Sequence, residues 1–280
     1  MQEITGNTRL FGILADPIHH VKTPQSINRL LRERQIDGVM VPLHVSVNGL
    51  EAMVQGLRQL HNLAGFVVTV PHKTAMWALC DELTPAAARI GAVNVVRRTP
   101  EGRLVGGILD GDGFVAGLRS NGIEPCGRSA YLAGAGGAAS AIAFALAQAG
   151  VTRLTIANRT PEKVVELIGR IALDFPDLPL NAGTDDPSGH ELVVNGTSLG
   201  LAAGDALPLD VERLSPAQTV AEIIMQPTET PLLIAARKKG CRIHFGALML
   251  SCQVELMAAF MGALNGHERV ESAMPDGAAA

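Results

Sequence analysis

Read for the spacing of its apolar and polar positions, the chain is a succession of short β-branched runs separated by amphipathic or alanine-rich stretches. That alternation predicts strands joined by helical crossovers, hence an α/β protein built on parallel sheets. In the first part, "RLFGIL" predicts a strand, and "PQSINRLLRER", with proline near its start, a helix. "VMVPLHV" predicts the next strand and "GLEAMVQGLRQL" a helix. "VVTVPHK" (67–73) then predicts a strand that sets Lys73 just past its tip. A short helix through Trp77 and Leu79 follows, then a strand "AVNVVRR" and a turn at Glu101-Gly102.

A linking helix, "GFVAGLRSNG", ends at Gly122 in the position of a C′ glycine. A second series begins after it, with strand "SAYLAG", helix "GAASAIAFALAQAG" stopped by Gly150, and strand "RLTIANRT". "PEKVVELIGRIALDF" starts with proline and sets Val164, Ile168 and Ile171 on one helical face. "HELVVNGTS" and "QTVAEIIM" predict later strands, and "PLLIAARKKG" and "GALMLSCQVELMAAFMG" the last helices.

At 280 residues the chain has room for two domains. With 47% apolar and 18% charged residues it reads as an ordinary globular protein. A net charge of −4 with scattered basic residues gives no footprint for nucleic acid or an anionic membrane. No apolar run approaches the roughly 18 residues of a membrane span, and "MQEITGNTRL" lacks the apolar core of a signal peptide. Cys80, Cys126, Cys241 and Cys252 show no C-x-x-C spacing, which predicts reduced thiols and a cytoplasmic location. The expected partner is a small-molecule substrate, bound by a monomer or homodimer.

"YLAGAGGAAS" places Gly134, Gly136, Gly137 and Ala138 between a predicted strand and helix, a G-x-G-x-x-A form of the dinucleotide fingerprint closed by Ala139. The first glycine allows the tight turn, the second the approach of a pyrophosphate, and the helix start offers N–H groups to it. The next strand ends in Asn158, Arg159 and Thr160, with Lys163 beyond and no carboxylate before Glu162. A guanidinium and hydroxyl there suit a 2′-phosphate, so NADP is expected, with NAD possible if Arg159 stacks on adenine. The missing acid also argues against an S-adenosylmethionine methyltransferase, which shares the glycine turn.

Thr69, Lys73, Asn94 and Asp110 fall at tips of predicted strands, where open α/β sheets bind ligands. A lysine beside an aspartate suits a dehydrogenase: the carboxylate orients the ammonium, and the ammonium handles the hydroxyl proton. In order, "DPIHHVKTP", "VTVPHK", "GAVN", "LDGDG", "GAGGAA", "NRT", "NGTSLG", "PTETPLL" and "GALMLSCQ" resemble the shikimate dehydrogenase family over nearly the whole chain. The resemblance implies an N-terminal open α/β substrate domain (1–112) completed by a C-terminal helix (243–265). It also implies a Rossmann-type, doubly wound dinucleotide-binding domain (113–242). The polar, alanine-rich tail at 266–280 is expected to be frayed. The implied activity is NADP-linked, reversible reduction of 3-dehydroshikimate to shikimate, in aromatic amino acid biosynthesis.

By position, the resemblance makes Lys73 and Asp110 the catalytic pair and Thr69, Asn94 and Gln253 holders of the ring hydroxyls. Asn158, Arg159 and Thr160 become the adenosine-phosphate site. Asn195 to Ser198, in "NGTS", read as a turn after a strand close to the nicotinamide, with Thr197 as a cofactor-binding residue. The chain departs from the family pattern at the substrate carboxylate, where Val21 and Thr23 replace two serines. It departs again at Val67, Ile108, Leu109 and Met225, with Glu222 as the acid before the last. Thr23 keeps a clamp hydroxyl and Val21 cannot, so shikimate is expected to be held weakly, a related polyhydroxylated ring acid to be preferred, and the chain to be a divergent, shikimate/quinate dehydrogenase-like member outside the family's biosynthetic core. A non-catalytic sensor of ring acids or dinucleotides is the alternative from outside enzymology. His19, His20 and His72 lack partners at ligand spacing, so no metal site is expected.

Overall fold

The computed structural model describes residues 3–19 and 21–264. His20, the last residue of the expected 243–265 helix and the expected 266–280 tail lie outside them. The chain divides into two compact units, one running to Ala88 and including Ala92–Gly107 and Val254 onward, the other Arg89–Gly91 with Ile108–Gln253.

The first unit contains β1 (Arg9–Ala15), α1 (Thr23–Glu33), β2 (Gly38–His44), α2 (Leu50–Arg58), β3 (Leu63–Val68) and α3 (Lys73–Trp77). Then come β4 (Glu82–Leu83), α4 (Pro85–Ile90), β5 (Val95–Arg98) and β6 (Leu104–Gly107). Its sheet has the order β2-β1-β3-β5-β6-β4. Phe11, Ile13, Leu14 and Ala15 on β1 and Phe66, Val67 and Val68 on β3 are buried, as expected of strands covered on both faces. The sheet is not the expected parallel one. β5 runs antiparallel to β3 and to β6, and the turn at Glu101-Gly102 closes the β5–β6 hairpin. The strand "LVGG" is not among the predicted elements, since glycine is a poor strand former. Gly107 leaves room for the Phe260 ring, from which a Cβ at that position would lie 2.7 Å.

The second unit contains α5 (Asp110–Ser120), β7 (Ser129–Ala133), α6 (Gly137–Gln148), β8 (Arg153–Ala157), α7 (Pro161–Asp174) and β9 (Leu180–Ala182). It continues with β10 (Leu192–Asn195), β11 (Thr219–Glu222), α8 (Pro231–Lys238), β12 (Arg242–His244) and the first part of α9 (Gly246–Phe260). The sheet order β12-β11-β10-β7-β8-β9, with every pairing parallel, is that of a doubly wound dinucleotide-binding fold. Tyr131, Val193, Val220, Leu232 and Leu233 lie in its core. α7 buries Val164, Leu167 and Ile171, each worth about 1.5–3 kcal/mol. The expected face named Ile168, which is half-buried; Leu167, at the i+3 position, turns inward instead.

Candidate active site

In the second unit, Ala133 at the end of β7 pairs with Ala157 at the end of β8 and with Asn195 at the end of β10. Three loops therefore leave one edge of the sheet side by side. They carry Gly134–Ala138, Asn158–Thr160 and Gly196–Gly200. Gly134 has φ +113°, which an L side chain rarely adopts, and its N–H donates to the Ala157 carbonyl at 2.7 Å. A Cβ there would lie 3.0 Å from the Gly196 carbonyl, so the first and third loops meet at this glycine.

Gly136 caps α6 without a side-chain hydrogen bond, and a Cβ on it would meet nothing within 4 Å. The start of a twelve-residue helix, with Gly137 and Ala138 in its first turn, thus presents uncapped N–H groups to open space. That cradle fits a dinucleotide pyrophosphate. On the β8 loop Asn158 Nδ2 donates to the Thr160 carbonyl at 3.1 Å, and Arg159 is exposed. Thr160, next to Arg159 in the chain, caps α7 without a side-chain bond and leaves N–H groups at the helix start, a donor set that with a guanidinium fits a 2′-phosphate.

Thr197 is committed to its own loop. Its hydroxyl donates to Asn195 Oδ1 at 2.7 Å and accepts from the Leu199 N–H at 3.0 Å, while its N–H donates to the same Oδ1 at 3.0 Å. Behind it lies a group to which the sequence reading assigns no role. Glu222, fully buried at the end of β11, accepts from Asn195 Nδ2 at 3.1 and 3.0 Å, the N–H of Ile223 at 2.8 Å and of Ile224 at 3.1 Å, and the Thr230 hydroxyl at 3.0 Å. Burial pushes its carboxyl above the ordinary range, and these donors pull it back. The available signal was an acid inside an apolar strand, "TVAEII".

Asp110 is not at a strand tip; it is the first residue of α5, buried, and accepts from Gln253 Nε2 at 3.3 Å. The same amide donates to the Leu109 carbonyl at 2.9 Å. Gly113, one turn along α5, makes room for this side chain: a Cβ there would lie 2.1 Å from Gln253 Cγ. The two expected site residues are therefore joined by a bond that depends on a glycine.

In the first unit, the strand read through "VVTVPHK" stops at Val68. Thr69–His72 form a turn in which the His72 N–H donates to the Thr69 carbonyl at 2.9 Å, and Lys73 opens α3 rather than following a strand tip. The buried His72 bonds the Val45 carbonyl at 2.7 Å, so it has a structural partner. Asn94 precedes β5 instead of ending a strand. Because β5 is antiparallel, its start lies at the edge where β3 ends. The Val68 N–H donates to the Asn94 carbonyl at 2.8 Å and the Val93 N–H to the Lys73 carbonyl at 2.9 Å, which brings Thr69, Lys73 and Asn94 to that edge. Thr23 opens α1 and is buried, while Val21 is half-buried. Among the described residues, no cluster of three or more His, Cys, Asp or Glu side chains has metal-binding geometry.

A doubly wound unit with an open glycine cradle, in one chain with a mixed-sheet unit bearing lysine, threonine and asparagine on one edge, defines a two-unit α/β protein of the dinucleotide-binding class. Residues 13–96 match the shikimate dehydrogenase substrate-binding domain, and residues 123–184 match the shikimate/quinate 5-dehydrogenase model. A shikimate dehydrogenase (NADP(+)) of Rubrobacter xylanophilus is 41% identical over 264 residues, covering 92% of this chain and 93% of the relative. The shikimate 5-dehydrogenase of Thermus thermophilus, solved with NADP(H) and shikimate, superimposes with a TM-score of 0.82 at 30% identity, covering 92% of this chain and 94% of that one. The quinate dehydrogenase of Corynebacterium glutamicum, solved with NAD, gives 0.81 at 25% identity, covering 92% and 94%. The chain belongs to the shikimate dehydrogenase family. The expected fold class and the family resemblance both hold.

Proposed function

We propose that this chain is an NADP-linked oxidoreductase interconverting shikimate and 3-dehydroshikimate. The observation that carries the reading is the open, uncapped glycine cradle beside Arg159, in a chain 41% identical to an NADP-linked relative across 92% of its length. The cofactor would supply the hydride as NADPH in the reductive direction and accept it as NADP+ in the oxidative one. Gly134, Gly136, Gly137 and Ala138 hold its pyrophosphate, Asn158, Arg159 and Thr160 its 2′-phosphate, and the Thr197 loop flanks its other half.

Lys73 gives a proton to the substrate oxygen during reduction and removes it during oxidation. Asp110 orients the ammonium and the substrate hydroxyl, and Gln253, through its 3.3 Å bond, holds that carboxylate in one rotamer. Thr69, Asn94 and Gln253 bind ring hydroxyls, and Thr23 binds the substrate carboxylate. With Val21 apolar, the grip on the carboxylate is weakened, so a raised KM with intact turnover is the expected signature. The enzyme is cytoplasmic in this reading, which the unpaired state of Cys80, Cys126, Cys241 and Cys252 favours. No helix among the described residues is long and apolar enough to cross a membrane.

The test is nicotinamide absorbance with shikimate and with quinate, each against NADP+ and NAD+. NADP+ should give a higher kcat/KM than NAD+, and shikimate should be oxidised with a raised KM and intact turnover. Binding of ring acid and cofactor with no turnover of either substrate would refute the enzymatic reading, and a clear preference for NAD+ would refute the 2′-phosphate assignment.

A further inference from the structure

We infer that Glu222 is a positioning residue for the half of the cofactor opposite the adenosine, acting through Asn195 and Thr197. The inference rests on the function proposed above. In a doubly wound sheet the dinucleotide crosses the edge where the strand order reverses. β8, with Arg159, lies on one side of β7, and β10 lies on the other. The Gly196–Gly200 loop after β10 therefore faces the end of the cofactor that does not carry the adenosine, and it touches the glycine turn at Gly134.

The hydrogen bonds around that loop admit one arrangement. Asn195 Nδ2 points at three acceptors: both oxygens of Glu222 at 3.1 and 3.0 Å and the Leu199 carbonyl at 3.1 Å. Its Oδ1 faces two donors, the N–H and the hydroxyl of Thr197. An inverted amide would set donor against donor at Thr197 and acceptor against acceptor at Leu199 and Glu222, each costly in a buried site. A carboxylate at 222 is the group that satisfies the arrangement, because every partner around it donates: Asn195 Nδ2, the Ile223 and Ile224 N–H groups, and the Thr230 hydroxyl. Thr230 also caps α8 by accepting from the Leu233 N–H, so one buried charge orders the loop, the end of β11 and a helix start.

Glu222→Gln keeps the shape and puts an amide NH2 among donors. Calorimetric titration of wild type and variant with NADP+ and with 2′,5′-ADP, which carries the adenosine and 2′-phosphate but no nicotinamide, reads the effect without turnover. NADP+ affinity should fall about tenfold, while 2′,5′-ADP affinity should stay within about twofold of wild type. Thr197→Val, which removes one hydroxyl of the relay and leaves the carboxylate in place, should show the same selective loss and guards against a misfolded Gln variant. Steady-state kinetics of both variants should show the KM for NADP+ rising with a smaller change in the KM for shikimate. Equal losses for the two ligands, or no loss for either, would overturn the inference. A wild-type chain that bound NADP+ but did not oxidise shikimate would refute the substrate assignment and leave this comparison valid.

Discussion

His244, on β12, should make the protein acid-sensitive in a window set by its surroundings. The ring is fully buried, packs edge-on against Phe114 at 6.1 Å, and has Nδ1 3.3 Å from Asn121 Nδ2. Since that amide nitrogen donates, Nδ1 accepts and the ring proton sits on Nε2, which has no hydrogen-bond partner among the described residues. Protonation would place a charge where neither nitrogen has an acceptor. Burial, and then the charge of Arg242, lower the pKa from 6.5 to about 4. The unfolded chain therefore takes up a proton as pH falls through 6.5, and the folded chain only near pH 4. Stability from this residue is complete above about pH 6.5 and is lost as pH falls toward 4. At ~1.4 kcal/mol per pH unit the loss approaches about 3 kcal/mol. His244→Phe keeps a ring against Phe114 and removes the titration. Urea unfolding followed by circular dichroism between pH 7 and pH 4 should show the wild-type curve falling more steeply than the variant's, by about one proton's worth of slope. Parallel curves would refute the assignment.

Gly113→Ala improves intrinsic helix propensity by about 1 kcal/mol, yet its Cβ, 2.1 Å from Gln253 Cγ, must push Gln253 off Asp110. Shikimate kcat/KM, measured from nicotinamide absorbance, should therefore fall by about tenfold or more, with the fold retained. Arg159→Ala should cut kcat/KM for NADP+ by about 10- to 150-fold and leave NAD+ nearly unchanged. Equal losses with both cofactors would show that the guanidinium does not read the phosphate.

What could be read from the sequence followed local chemistry. The glycine turn, the proline at the start of α7 and the β-branched runs of the second unit each have one favourable backbone solution, and they led to the doubly wound sheet. The first unit is less legible, because its register depends on contacts distant along the chain. "VVTVPHK" has strand propensity through Val70, but the ladder ends at Val68 and the following turn lifts Lys73 onto a helix start. The hairpin is hidden in the sequence because Gly106 and Gly107 are in the strand for the close approach of Cys80, Val93 and Phe260, which are distant along the chain. Gln253 and Asp110 are 143 positions apart, so their bond was reachable by resemblance and not by spacing. Glu222 is visible as an acid in an apolar run, but its role depends on donors from the end of β10 and from the segment between β11 and α8.

The most direct test is the kcat of Lys73→Ala for NADP+-linked shikimate oxidation, with the substrate KM measured in the same experiment. Loss of the proton-handling ammonium should lower kcat by about 100-fold or more, with a much smaller change in KM. A variant that oxidises shikimate at the wild-type rate would contradict the assignment of Lys73 to the chemistry.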